Sequence, residues 1–92
     1  MSLCITFRLG EDFYIGDQQW RVVAIYPAGG CRVRNEPNGA RFDVNARAVE
    51  IAQGVRLAIG PRHSASVVCL AIEAPRETLV LRGRKYRAGA NP

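Results

Sequence analysis

CLAIEAPRETLVLRGRKYR, residues 69–87, joins two apolar, strand-like segments through Glu73-Ala74-Pro75 and ends in a cluster of cations. Proline cannot donate to a sheet ladder, so Pro75 breaks the apolar run and predicts two strands, 66–73 and 77–82, around a turn. Five of the thirteen positive side chains lie in this stretch, four of them between positions 82 and 87. A run of β-type residues broken by a turn and closed by charge reads as part of an antiparallel sheet with a guarded end.

The same grammar extends towards the start of the chain. In residues 3–9, Leu3, Ile5, Phe7 and Leu9 alternate with Cys4, Thr6 and Arg8, the pattern of a half-buried strand. Phe13 to Ile15, Trp20 to Tyr26, Cys31 to Asn35, Arg41 to Val44 and Val55 to Ile59 are further β-rich segments. Between them stand Gly10-Glu11-Asp12, Gly16-Asp17, Pro27-Ala28-Gly29-Gly30, Glu36-Pro37-Asn38-Gly39 and the loop 60–64, all turn chemistry. Residues 46–53 read instead as a helix, with Asn45 as its cap, helix formers inside and Gly54 at the C′ position. The expected fold is therefore mostly β: a small antiparallel sheet or barrel-like domain of seven or eight strands with one short helix. It is a single domain over 1–92 whose tail, 88–92, is loose.

A 92-residue chain buries only about two-thirds of its unfolded surface, so its core is thin. With 48% hydrophobic and 23% charged residues the composition is that of a globular domain, and no apolar run is long enough for a membrane helix. The start carries no basic, then apolar leader pattern, which predicts a cytoplasmic protein without a membrane partner. Cys4, Cys31 and Cys69 are odd in number and 27 and 38 positions apart; that suits neither a disulfide framework nor a zinc site and predicts buried, reduced thiols. Twelve Arg and one Lys give a net charge of +5, which points to a polyanionic partner, since guanidinium forks grip phosphates and guanine edges. A single His, no Ser-His-Asp or Cys-His pattern and no phosphate-cradling Gly-rich loop predict neither enzymatic activity nor a cofactor.

An internal echo organises these segments. Gly10-Glu11-Asp12-Phe13-Tyr14-Ile15-Gly16 is repeated in spacing by Gly54-Val55-Arg56-Leu57-Ala58-Ile59-Gly60, and each copy leads to an apolar strand and a Pro-containing turn. Thr6-Phe7-Arg8-Leu9-Gly10-Glu11, running into Ile15-Gly16-Asp17, together with Ala74-Pro75-Arg76-Glu77 and Val80-Leu81-Arg82 followed by Tyr86, resembles the CsrA/RsmA carbon storage regulators. These are small bacterial proteins of five strands and a C-terminal helix that form intertwined dimers. The two matches lie too far apart for one unit, so the chain resembles a degenerate tandem, with repeats 3–53 and 54–87. The second lacks a first strand and room for a terminal helix. The resemblance implies a single-chain pseudo-dimer in which the linkage makes strand pairing intramolecular.

The family binds single-stranded GGA in RNA loops, using the first strand of one protomer beside the last strand of the other. Carried over by position, this implies an RNA-binding post-transcriptional regulator of translation whose partner is an mRNA or small RNA. Its site would comprise Thr6 and Arg8 from one strand and Leu81 and Arg82 from another, with Arg84, Lys85 and Arg87 as neighbouring cations. Phe7 stands where the family has a basic residue, and the arginine position of the first copy falls on Ala46, so at most one strong RNA site per chain is expected. Arg32 and Arg34 read as a solvated face, Trp20 and Tyr14 as core, and His63 as chemically idle. The alternative is a non-catalytic protein-interaction module on the same fold that has lost RNA binding, taking a protein partner through a sheet edge. A homodimer is compatible with both readings.

Overall fold

The computed structural model describes residues 2–63 and 66–89, with backbone alone for 2, 61–63 and 89. Its strands are β1 (Ser2–Arg8), β2 (Asp12–Ile15), β3 (Gln18–Ile25), β4 (Cys31–Asn35), β5 (Arg41–Val44), β6 (Val49–Ala52), β7 (Val55–His63), β8 (Val67–Glu73) and β9 (Val80–Arg82), followed by helix α1 (Gly83–Gly89). The fold is mostly β with one short helix, as the sequence predicts. The strands make two antiparallel sheets, ordered β1-β8-β7-β6 and β5-β4-β3-β2-β9. Each sheet thus borrows one strand from far along the chain: β1 joins the later strands, and β9 joins the earlier ones.

Alternation decides which face of each strand is buried. Leu3, Ile5 and Phe7 stand opposite Ile72, Leu70 and Val68 of β8, while Leu57 and Ile59 of β7 flank Ile72 and Leu70 from the other side. A one-residue slip would turn this entire apolar set to solvent. Across the core, Phe13, Trp20, Val22, Val33 and Val44 of the second sheet are buried, and the Phe7 and Phe13 rings lie 4.8 Å apart. Leu9 breaks the expected alternation: it lies beyond β1 and is 59% exposed.

The helix expected at 46–53 is absent. Asn45 Oδ1 accepts from the Arg47 N–H at 2.9 Å, a local turn rather than a helix cap, and the chain then extends as β6 with Ile51 turned into the core. Gln53-Gly54 is the turn of the β6–β7 hairpin. The helix lies instead at 83–89, where the sequence reading saw no room for one, so the expected loose tail begins as the last turn of α1; residues 90–92 lie outside the described part. β7 also continues through 60–63, expected as loop, and the strand expected at 77–82 shrinks to β9.

A clamp holds α1 on β2. Arg87 donates to both oxygens of Asp12 at 2.8 and 3.4 Å, Gln19 donates to the same carboxylate at 2.8 Å, and Tyr86 stacks on Tyr14 with centroids 3.8 Å apart. A Cβ at Gly83 would run into the Asp12 carboxylate, so the helix starts on a residue without a side chain. Tyr14 is consequently half-buried outside the core rather than within it.

The cysteines differ from expectation in one pair. Cys4 and Cys69 are joined by a disulfide spanning 65 positions, tying β1 to β8 on the face away from the core. Gly60 accommodates it: a Cβ there would come within 2.8 Å of the Cys69 sulfur and 3.0 Å of that of Cys4. Spacing along the chain carries no signal for this pair, because antiparallel pairing of distant strands brings the sulfurs together. Cys31 is buried and free as expected, and burial pushes its thiol up to about 12, which leaves it protonated and inert at neutral pH.

Closing a loop of that length stabilises the folded chain by about 4 kcal/mol in the chain-entropy model. Reduction, or Cys69→Ser, is expected to lower Tm by roughly 10 °C or more in a circular-dichroism melt; an unchanged Tm in reductant would contradict the bridge. The Arg87 hydrogen bonds hold the Asp12 carboxyl below its usual value of 3.8, against the opposing effect of burial. A lowered folded-state value means stabilisation that is present at neutral pH and lost as pH falls through it. Asp12→Asn should therefore be less stable than the parent at pH 7, with the gap closing in a melt series taken below pH 3.8; a gap that persists undiminished in acid would refute the clamp.

Candidate nucleic-acid interface

β1 and β9 are the outer strands of different sheets, and each pairs with a neighbour on one side only. They face one another across a seam that no backbone hydrogen bond closes among the described residues. Arg82 crosses it: Nη1 donates to the carbonyl oxygen of Thr6 at 2.6 Å, joining residues 76 positions apart. Its guanidinium carbon also lies 5.4 Å from the centroid of the buried Phe7 ring. Phe7 thus replaces the basic residue implied by the resemblance with an aromatic face on which another cation rests.

Two adjoining clefts open at this seam. One, of about 430 Å³, is bordered by Cys4, Ile5, Thr6, Val80, Leu81, Arg82 and Lys85. The other, of about 410 Å³, is bordered by Thr6, Arg8, Glu11, Val67, Arg82 and Arg84. Thr6 and Arg82 belong to both. Six of the seven candidate residues, Thr6, Arg8, Leu81, Arg82, Arg84 and Lys85, therefore share one groove although the chain separates them widely. Arg87 does not join them; it is spent on Asp12 at the other side of α1.

Carboxylate pairing separates this groove from the arginines of β3 and β4, although Arg41, Arg47, Arg56 and Arg76 also have no carboxylate partner among the described residues. Arg21 and Arg34 both bind Glu36, and Arg32 binds Asp43, which also accepts from the Tyr26 hydroxyl. These contacts hold the Glu36 and Asp43 carboxyls below their ordinary range, with the Arg34 and Arg32 hydrogen bonds the leading causes. By contrast, Arg8, Arg82, Arg84 and Lys85 have no carboxylate partner among the described residues. Glu11, the one acid bordering the groove, accepts from the Arg8 backbone N–H at 2.6 Å. Arg82 uses a single N–H on Thr6, and the remainder of its fork is open to a ligand.

Helix α1, unforeseen from sequence, supplies Arg84 and Lys85 from its exposed side, so its correct placement is what carries two of the cations to the seam. Val67 is a bordering residue that sequence reasoning did not single out, and the β1–β8 pairing, which sets it opposite Arg8, brings it there. The His63 side chain lies outside the described residues. Among the described residues, no three His, Cys, Asp or Glu side chains gather closely enough to hold a metal ion, and no helix is long and apolar enough to cross a membrane. No protein-family model, curated protein or solved structure matches this chain.

Proposed function

We propose that this chain is an RNA-binding post-transcriptional regulator of the CsrA/RsmA kind, which takes a single-stranded GGA-type loop of an mRNA or small RNA into the β1–β9 groove. The observation that carries the reading is the gathering of four carboxylate-free cations, Arg8, Arg82, Arg84 and Lys85, along two open strand edges. Unpaired cations supply the phosphate contacts that dominate affinity, while open backbone amides and the Arg82 fork read base edges. Bound near a ribosome-binding site, such a protein would occlude it and lower translation. The cytoplasm, where mRNA is translated, is the compartment this activity requires.

The tandem reading draws support from the reciprocal placement of β1 and β9, each seated in the sheet made mostly by the other part of the chain. That is the strand exchange expected of two linked units replacing two subunits. With one first strand and one cation-rich last strand, the chain offers one groove and one RNA. A second reading, a protein-interaction module, is favoured by the same open edges and by Leu79, which is 64% exposed just before β9.

Titration with a GGA-loop RNA at two salt concentrations separates the two. Binding is expected at one RNA per chain, with log K falling on log[salt] at a slope of about −2 to −3 for three or four phosphate contacts on a single strand. Arg82→Ala should weaken it about tenfold or more, whereas Arg32→Ala, on the carboxylate-paired face, should leave it unchanged. No binding even at low salt would sink the RNA reading in favour of a protein partner, and two RNAs per chain would sink the single-groove reading.

A further inference from the structure

A second cavity lies away from the groove, between the end of β2–β3 and the β6–β7 hairpin. It encloses about 280 Å³, and no charged side chain borders it. Its apolar walls include Ile15, Trp20 and Phe42, and the Trp20 and Phe42 rings stand 5.8 Å apart at 51°. Its polar side is built from three amides, Gln18, Asn35 and Asn38.

Asn35 is the one buried polar side chain among the described residues, at 4% exposure. Its Oδ1 accepts from the Asn38 backbone N–H at 3.1 Å, but its Nδ2 has only a 3.5 Å contact with Gln18 Oε1. An amide nitrogen carries two hydrogens, so at least one donor remains beside the cavity. Besides that contact at its Oε1, Gln18 is held by a 3.5 Å contact from its Nε2 to Asp17, and Asn38 uses its Oδ1 on the Ala40 N–H at 2.8 Å while its Nδ2 has no partner among the described residues.

Aromatic walls with neighbouring carboxamide donors and acceptors suit a flat, neutral ring edged by hydrogen-bonding atoms. Side-chain amides pair in just this way with base edges. The absence of a bordering cation disfavours a phosphate or carboxylate, and the volume is near the lower limit for a small-molecule site, enough for one ring system. We propose that this cavity binds a single nucleobase, clasped by Gln18, Asn35 and Asn38 against the Trp20 and Phe42 walls. Thr78 borders it, and Val80, two residues on, borders the cationic groove, so no more than about 7 Å of chain separates them. The base could come from a free nucleoside or from an unpaired nucleotide of an RNA lying in that groove. The pocket itself stands without the RNA reading.

Trp20 is the only tryptophan and borders this cavity. The intact chain is titrated with adenosine, guanosine, cytidine and uridine separately, and then with the GGA-loop RNA, while Trp20 fluorescence is followed. A saturable change with at least one nucleoside, weakened tenfold or more in Gln18→Ala and in Asn38→Ala but not in Arg82→Ala, is expected if free bases enter. A change seen only with the RNA, and abolished by Gln18→Ala, assigns the base to bound RNA and supports the proposal equally. No saturable change with any probe, or one indifferent to both amide variants, overturns it. The variants are compared with the parent by circular dichroism, and Gln18 is exposed, so its truncation leaves the fold in place. RNA binding without a Trp20 response defeats the pocket alone, whereas a nucleoside response without RNA binding defeats the RNA reading alone.

Discussion

The placement of β1 in one sheet and β9 in the other is the constraint on which the rest of the structure depends. Because Leu3, Ile5 and Phe7 must find β8, and Val80 to Arg82 must find β2, neither half of the chain can complete its own sheet. The two edges are left facing each other, and Arg82 spans the gap to the Thr6 carbonyl. A seam of this kind is costly to leave bare, since open strand edges invite pairing with other chains. Here it is managed by cations and a short helix, which on the proposed function would also receive a polyanion.

The distribution of charge follows the same division. On the β3–β5 face each carboxylate is matched to arginines, in exposed or half-exposed pairs that contribute little stability but reduce the local field. At the seam Arg8, Arg82, Arg84 and Lys85 border adjoining clefts without a carboxylate partner among the described residues, and gathering like charges in this way carries an electrostatic cost. Such an arrangement makes physical sense where an anion replaces the missing carboxylates. The Asp12–Arg87 clamp belongs to the first kind and fixes the helix that carries Arg84 and Lys85.

Much of this was legible in the sequence, for identifiable reasons. Period-two alternation marked β1, the apolar run before Glu73-Ala74-Pro75 marked β8, and Asn38-Gly39 and Pro27 with its following glycines marked the turns, because those signals are local. Where local signals have two meanings the reading failed: Asn45 and Gly54 bracket a helix or a turn and a hairpin equally well, and the buried position of Ile51 decided for β6. Gly83 and Gly89 hid α1, since the contacts that hold it, from Asp12 and Tyr14, lie about seventy residues earlier in the chain. The Cys4–Cys69 bridge and the burial of Asn35 beside Trp20 were likewise invisible, being products of register rather than of spacing. The groove residues were found from a motif, whereas the role of Phe7 as a platform for Arg82 needed the fold.

The most direct test of the groove is to see where RNA touches the chain. Backbone amide shifts recorded with and without a GGA-loop RNA should move together in Cys4 to Arg8 and in Val80 to Lys85, two segments joined only through this seam, while Arg32, Arg34 and Arg41 stay in place. Perturbations centred on the Arg32 and Arg34 face, or confined to one of the two segments, would contradict a composite site built from β1 and β9.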